Sequence, residues 1–408
     1  MKKLPSYATN GSGIHYYWLN SIEAVSAESW ETCFDSNNVF HSYGFARALE
    51  RSKFKGMEFH YLAGDRDGKT VFLLPCFCYR ASSAVLASPT YRRLAKIVHR
   101  VVPGLLDYRL FVAGSPLTLT HHFGLQQISR NERVQVLCEV REAMLRRCTE
   151  VNAQVVVIKE FEKSWLPELR EVFEPKFLIV EGLPTTYVPI SYDGSPSYRE
   201  RLRSSYRRKL KQRQRHFEKA GLRWEALTDF GRYANELHDL YQQVLERSAS
   251  QFTILTPAFF HEIPENLGDR AYAIVAYDGD QAVAFLMLLR DKDWLHFLRL
   301  GLNYEYRDHA RLYNNCLYRF ISECEQRGYP VADFGQTTYE VKGQLGAVIS
   351  RRYLCVYHRN QAMRWVIRVM KSQLFPARQM PKYRVFSDTE LANKILSTRN
   401  LQFERTID

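Results

Sequence analysis

The sequence predicts an α/β protein of two similar domains in tandem, each a mixed central sheet flanked by helices, with a C-terminal helical extension. Three observations carry this expectation. The chain has 408 residues, more than one hydrophobic core usually supports. Short apolar runs of strand length alternate with segments of helical periodicity along most of it. Two hairpin signals, Asp65-Arg66-Asp67-Gly68 and Asp278-Gly279-Asp280, stand 211 residues apart, counted from Asp67 to Asp278. Each is preceded by helices and followed by strand, helix and strand, the pattern of an internal duplication.

The elements follow in order. HYYWL (15–19) reads as a strand, SAESWETCF as a short helix opened by a serine cap, and SYGFARALERS as a second helix. EFHYLAGD and KTVFLLPCFCYR flank the first hairpin turn. Residues 132–150 place Val136, Leu137, Val140 and Met144 at helical spacing, AQVVVIKEF reads as a buried strand, and FLIVEGLPTTYVPI as another before a linker at 191–197. The second half opens on one long helix, 198–220, and continues with strand LRWEALT and helix 233–248. AYAIVAYDGD, QAVAFLMLLR and WLHFLRLGLN read as strands, ARLYNNCLYRFISECEQRG as an amphipathic helix, and VADFG as a closing strand. The expected domains are 1–190 and 198–358, with 359–408 as the extension.

Composition narrows the function classes. Hydrophobic residues make up 46% and aromatics 13%, enough to fill two cores and to exclude a disordered chain. The eight cysteines are scattered among apolar neighbours and read as buried thiols; no pair follows Cys76 and Cys78 at ligand spacing, so no metal is expected. MKKLPSYATNGSG lacks the apolar stretch of a signal peptide, and no segment is long and apolar enough to span a bilayer. A cytoplasmic location is expected. Net charge is +13, of which +8 falls between Arg199 and Lys219, with ten Lys/Arg against two Glu. Such concentration points to a polyanionic partner: a CoA pyrophosphate, a carrier protein, tRNA or acidic lipid. On the basic helix, Tyr198, Leu202, Tyr206, Leu210 and Phe217 form a narrow apolar stripe, while Arg207, Arg208, Lys211 and Arg215 are free to line a donor or tRNA groove. Stacking aromatics are missing, so sequence-specific nucleic-acid recognition is not expected. In the extension, Met363, Val366, Ile367, Val369, Met370 and Leu374 form a wide apolar surface beside a basic stripe of Arg364, Arg368 and Lys371. That pattern fits either a helix docked on the body or one lying against an anionic membrane at its inner face.

The stretch WLHFLRLGLNYEYRDHARLYNNCLYRFISECEQRGYPVADFG resembles the core of a Gcn5-related N-acetyltransferase (GNAT) domain. The basic helix, the closing VADFGQTTYEVKGQLGA and the N-terminal FHSYGFARALERS are similar to FemAB-like tandem acyltransferases, a resemblance spanning roughly 30–358. It implies two GNAT-like domains and transfer of an acyl group to an amine by direct attack in a ternary complex. No permanently bound cofactor is implied; an acyl-CoA or acyl-carrier thioester is the co-substrate, with an aminoacyl-tRNA as the alternative donor. The acceptor would be a small-molecule or lipid amine of cell-envelope, lipid or amino-sugar type. A non-catalytic binding module that kept the fold is the rival from another class.

By the same resemblance, the loop Arg307-Asp308-His309-Ala310-Arg311-Leu312 would present backbone N–H groups and a helix N-terminus to the donor's pyrophosphate. The phosphate loop of such domains carries glycine, and none stands between Arg307 and Asn315. Lys342 matches the lysine of the closing motif and is the candidate oxyanion or phosphate contact, against an ordinary surface lysine on a turn. Tyr339 is a candidate acid or orienting hydroxyl, against a core aromatic. Asp333 would orient Lys342 or substrate, against a plain strand-end cap. Glu246 is a candidate general base, against a helix-surface glutamate. His121-His122 invites comparison with peptide-synthetase condensation domains, but Gln126 stands where that motif has aspartate. This reading is set aside.

Overall fold

The computed structural model describes residues 7–8, 11–82, 107–191, 194–248, 253–378 and 381–399. Part of the expected linker (192–193) and the start of SQFTILTPAFF (250–252) lie outside the described residues. Both expected hairpins form. Strands β3 (Glu58–Arg66) and β4 (Lys69–Ser82) turn at Asp67 and Gly68, whose φ values of +51° and +75° are left-handed. Strands β10 (Ala271–Asp278) and β11 (Gln281–Arg290) turn through Gly279 at φ +56°. Each pair also shifts register just before its turn, at Gly64/Asp65 and at Ala276/Tyr277.

The chain divides into two units. The first holds residues 1–182, 250–254 and 352–377; the second holds 183–249, 255–351 and 378–408. The first unit's sheet contains β1 (Tyr7–Ala8), β2 (His15–Leu19), β3, β4, β5 (Asp107–Ala113), β6 (Val155–Phe161), β7 (Leu178–Glu181) and β15 (Tyr353–His358). Its order is β1-β2-β3-β4-β5-β6-β15-β7. The second unit's sheet contains β8 (Thr185–Pro189), β9 (Arg223–Leu227), β10, β11, β12 (Leu295–Leu302), β13 (Val331–Gly335) and β14 (Val348–Ser350), in the order β14-β8-β13-β12-β11-β10-β9. Among the described residues each sheet has a single parallel pairing: β5 with β6, and β12 with β13. From there the orders correspond strand for strand, so each unit is a mixed sheet of the same topology.

Two expectations change. FLIVEGLPTTYVPI is two strands, β7 and β8, which belong to different sheets; Gly182 and Pro184 interrupt the run. The strand beside β6 is accordingly β15, from beyond the second half, and the strand beside β13 is β8, from before it. The units therefore interleave, where the sequence division at 190, 198 and 358 is contiguous. The long helix 198–220 is likewise broken into Tyr198–Arg201 and Ser204–Lys219. Leu202 and Arg203 are extended, Leu202 forms an isolated bridge with Phe386, and Arg203 N–H donates to the Val385 carbonyl.

Sequence periodicity explains both cores. The first unit buries Val136, Leu137, Val140 and Met144 of helix Arg133–Glu150 against Trp18, Phe72 and Phe111. The second buries Leu210 and Phe217 of helix Ser204–Lys219 and Leu312, Cys316 and Phe320 of helix Leu312–Gln326 against Leu286, Leu288 and Leu302. Seven of the eight cysteines are buried, and all eight are free thiols. His122 is buried with both ring nitrogens against backbone carbonyls, at Thr120 and Phe40. No described helix is long and apolar enough to cross a membrane.

Candidate active site

In the second unit β12 and β13 pair in parallel over only two positions, Leu295↔Ala332 and His296↔Asp333. Beyond them β12 continues to Leu302 with no partner on that edge among the described residues. On its other edge β12 pairs with β11 through a bulge: Met287 faces Arg299, but Leu288 faces Phe297, so Leu298 is an extra residue. A short parallel ladder, an open strand edge and a bulge thus coincide.

The closed end of this opening is pinned by buried polar groups. His296 sits between two carboxylates, with Nδ1 2.8 Å from Asp333 Oδ2 and Nε2 3.2 Å from Asp291 Oδ2. Burial alone would push the imidazole down, but hydrogen bonds to Asp291 and Asp333 outweigh it and raise its pKa to about 9. Asp333 Oδ1 accepts the Gly335 N–H at 2.8 Å. Asp333 therefore both caps the strand end and holds His296. Lys342, on the short helix Tyr339–Gly343, is 4% exposed, which removes the surface-lysine reading. Its Nζ donates to the carbonyls of Phe334 (2.7 Å), Gly335 (3.4 Å) and Gln336 (2.7 Å). An ammonium has three N–H donors, and these three carbonyls take all of them. Burial pushes the Lys342 pKa down to about 7, with Asp333 partly offsetting the fall. The side chain is thus directed at the turn after β13, not at open space. Tyr339 is half-buried and its hydroxyl donates to the Pro184 carbonyl at 3.1 Å.

The loop before helix Leu312–Gln326 spends its own N–H groups internally. Ala310 N–H donates to Tyr306, Arg311 to Asp308 and Leu312 to Arg307. Ala310 and Leu312 are fully buried, so neither the side chains nor the N–H groups of these two expected binders are available. The open donors lie one step further on, at Tyr313 and Asn314, whose N–H groups have no partner among the described residues. Arg311, the N-cap, supplies no side-chain cap and has φ +50°, the left-handed conformation for which no glycine is present. The buried Asn315 Nδ2 ties the loop down, donating to Ala310 (2.9 Å), Arg213 (2.9 Å) and Arg311 (3.3 Å) carbonyls. Thr337 and Thr338 are also left-handed, at φ +69° and +49°, a costly conformation for a β-branched residue. The Tyr313 hydroxyl reaches Thr338 Oγ1 at 3.1 Å, joining the helix start to the turn after β13.

The remaining expected residues divide. Arg207, Arg208 and Lys211 are exposed on helix Ser204–Lys219. Its last turns flank the loop, where His216 Nδ1 donates to the His309 carbonyl at 3.1 Å. Arg307 is exposed and held by Asp308 through two hydrogen bonds; His309 is exposed. Glu246 is exposed at the end of helix Ala234–Glu246. Its neighbour Arg247 lies over the Tyr304 ring at 4.0 Å. Sequence reasoning missed His296, Asp291 and Arg299. The signal available for His296 and Arg299 was a polar residue inside the apolar run WLHFLRLGL; Asp291 lies before that run and carried no such signal.

This geometry is that of a tandem GNAT-like fold. Residues 204–343, which apart from 250–254 lie in the second unit, match the family model described as an acetyltransferase (GNAT) domain. Among solved structures, FemX aligns at 12% identity over 84% of this chain and 98% of its own, with a TM-score of 0.52. That likeness spans both units and shows the fold. The C-terminal domain of an Agrobacterium fabrum protein assigned as a lysylphosphatidylglycerol synthetase aligns at 11% identity over 86% of this chain and 95% of its own, TM-score 0.48. A tandem GNAT protein from the clavulanic acid biosynthesis pathway aligns at 9% identity over 85% and 99%, TM-score 0.45. Comparison with curated protein sequences finds no match.

Proposed function

We propose that the protein is an N-acyltransferase whose second unit binds an acyl-CoA or acyl-carrier thioester and passes the acyl group directly to an amine. The carrying observation is the parting of β12 and β13 next to the open N-terminus of helix Leu312–Gln326. In this reading the Tyr313 and Asn314 N–H groups and the helix dipole receive the donor's pyrophosphate. Exposed Arg207, Arg208 and Lys211 supply the positive field around it. The open β12 edge offers backbone groups to the donor's pantetheine arm, as one more strand would. The amine attacks the thioester carbonyl carbon, a C–N bond forms as the C–S bond breaks, and the amine's proton passes through solvent to the leaving thiolate. Lys342 acts as a positioning residue, fixing the turn after β13, and Tyr339 holds the same turn against Pro184. Glu246, exposed at the end of its helix, would serve as the general base that takes the amine's proton on that path.

The test is a thermal-shift series with CoA and acyl-CoAs of increasing chain length, since a ligand bound only to the native state raises Tm. A rise is expected, and it is expected to shrink when Arg207, Arg208 and Lys211 are together changed to glutamate. No rise with any CoA, and a rise with aminoacyl-tRNA, would replace the donor by the FemAB-type alternative. No response to either leaves the non-catalytic module.

A second reading concerns where the enzyme works. Helix Gln361–Val369 exposes Trp365 (67%) and Val369 (62%), one turn apart, beside Arg364, Arg368 and Lys371. Apolar and aromatic groups flanked by cations complement an anionic lipid surface, so we assign the helix as a peripheral membrane contact.

A further inference from the structure

Arg299 is a cation in the apolar run of β12, and its surroundings leave it without an anion. Its Nη1 donates to the adjacent Leu298 carbonyl at 2.9 Å. A guanidinium carries five N–H donors in a planar fork, and no carboxylate pairs with this one among the described residues. Arg299 is half-buried, and this partial burial lowers its pKa, with the Tyr241 phenol as the titratable group facing it. A half-buried guanidinium whose remaining donors have no partner among the described residues is placed to complete its hydrogen bonds with an anionic ligand.

The register fixes the side it serves. Phe297 points to helix Leu312–Gln326, with its ring 5.3 Å from that of Phe320. Arg299 pairs with Met287 and Gly301 with Phe285, on the opposite face, under helix Ala234–Glu246. That helix passes so close to β12 that a Cβ on Gly301 would lie 2.8 Å from the Leu240 carbonyl carbon. The bulge at Leu298 is what turns Arg299 to this face while Phe297 keeps the other. The open helix N-terminus that suits a donor's phosphates belongs to the Phe297 side. The unpaired cation belongs to the other side, just past the last β12–β13 pair.

We propose that Arg299 anchors the acceptor by binding a carboxylate on the amine-bearing substrate. This deepens the acyl-transfer reading and rests on it. The acceptor class becomes amines that also bear a carboxylate, such as amino acids, peptides and acidic amino sugars. Planar bidentate pairing suits a carboxylate and sets the amine at a fixed distance from the parted strands.

The experiment uses the full chain saturated with CoA. Binding of a panel of amino acids, dipeptides and amino-sugar acids is compared with that of their carboxamides and of phosphoethanolamine. At least one carboxylate is expected to bind about tenfold or more tighter than its amide, as the loss of a charge-assisted pair implies. Arg299→Met should abolish that preference, and Arg299→Lys should keep part of it. Equal binding of acid and amide, an undiminished preference in Arg299→Met, a preference for phosphoethanolamine, or no binding by any member overturns the proposal. The CoA-induced rise in Tm is measured alongside. Its retention in Arg299→Met shows that the variant folds and leaves the donor reading standing; its absence from the native chain counts against acyl transfer itself.

Discussion

At the scale of single residues the decisive group is His296. Parallel pairing of β12 with β13 sets it directly opposite Asp333, 37 residues away in sequence, while Asp291 reaches it from the preceding turn. An imidazole held at a pKa of about 9 against an ordinary 6.5 stabilises the fold fully below about pH 6.5, and that contribution is lost as pH rises through about 9. The stake is on the order of 3 kcal/mol. Lys342 acts in the opposite sense. With its pKa pushed down to about 7, its charging costs stability at low pH, and the cost fades as pH rises toward the usual lysine value. The two trends offset each other in mildly alkaline solution, so the difference between native protein and His296→Gln isolates the histidine. Urea unfolding at several pH values should show that difference shrinking between about pH 6.5 and 9; a difference independent of pH would contradict an imidazolium at this position. Lys342, expected as a substrate contact but tied to three carbonyls, and Asp333 were noticed because they stand in a closing motif. Their partners were not, since nothing local in WLHFL reports a contact made 37 residues later.

At the scale of elements, helix Gln361–Val369 carries more apolar surface than its packing uses. Met363, Val366 and Ile367 are half-buried, whereas Trp365 and Val369 face outward. A docked surface helix would keep that outer face polar. Seating Trp365 and Val369 in a lipid interface is worth about 2 kcal/mol each, and each cation near anionic headgroups adds about 1 kcal/mol. The protein should therefore sediment with phosphatidylglycerol vesicles at low salt and not with phosphatidylcholine alone. Trp365→Ser with Val369→Ser should release it without changing the CoA-induced Tm rise. Failure to sediment with anionic vesicles removes the membrane contact from the account. The apolar and basic stripes were visible in sequence; which stripe faces outward was not, because both sides of this helix are apolar.

At the scale of the molecule the two hairpins and the doubling of a mixed sheet were readable as a repeated pattern of apolar runs and turns, while the register shifts and the parallel pair were not. The exchange of strands was not. A strand's sequence says that it will be buried, not which sheet receives it, and 177–190 reads as one run although its halves part at Gly182–Pro184. The exchange has a testable consequence. β15 lies between β6 and β7, antiparallel to both, and buries Leu354, Cys355 and Val356 at 6%, 0% and 7% exposure. A fragment of residues 1–190 lacks that strand. β6 then has an unpaired, apolar edge and β7 no neighbour at all, a loss of two ladders that a sheet edge does not tolerate. In urea such a fragment should unfold without a cooperative transition. Appending residues 352–377 through a glycine-serine linker should restore one, because the strand returns intramolecularly to its place. A cooperative transition of the bare fragment, matched in midpoint by the extended one, would show that β15 contributes nothing to the first unit's stability.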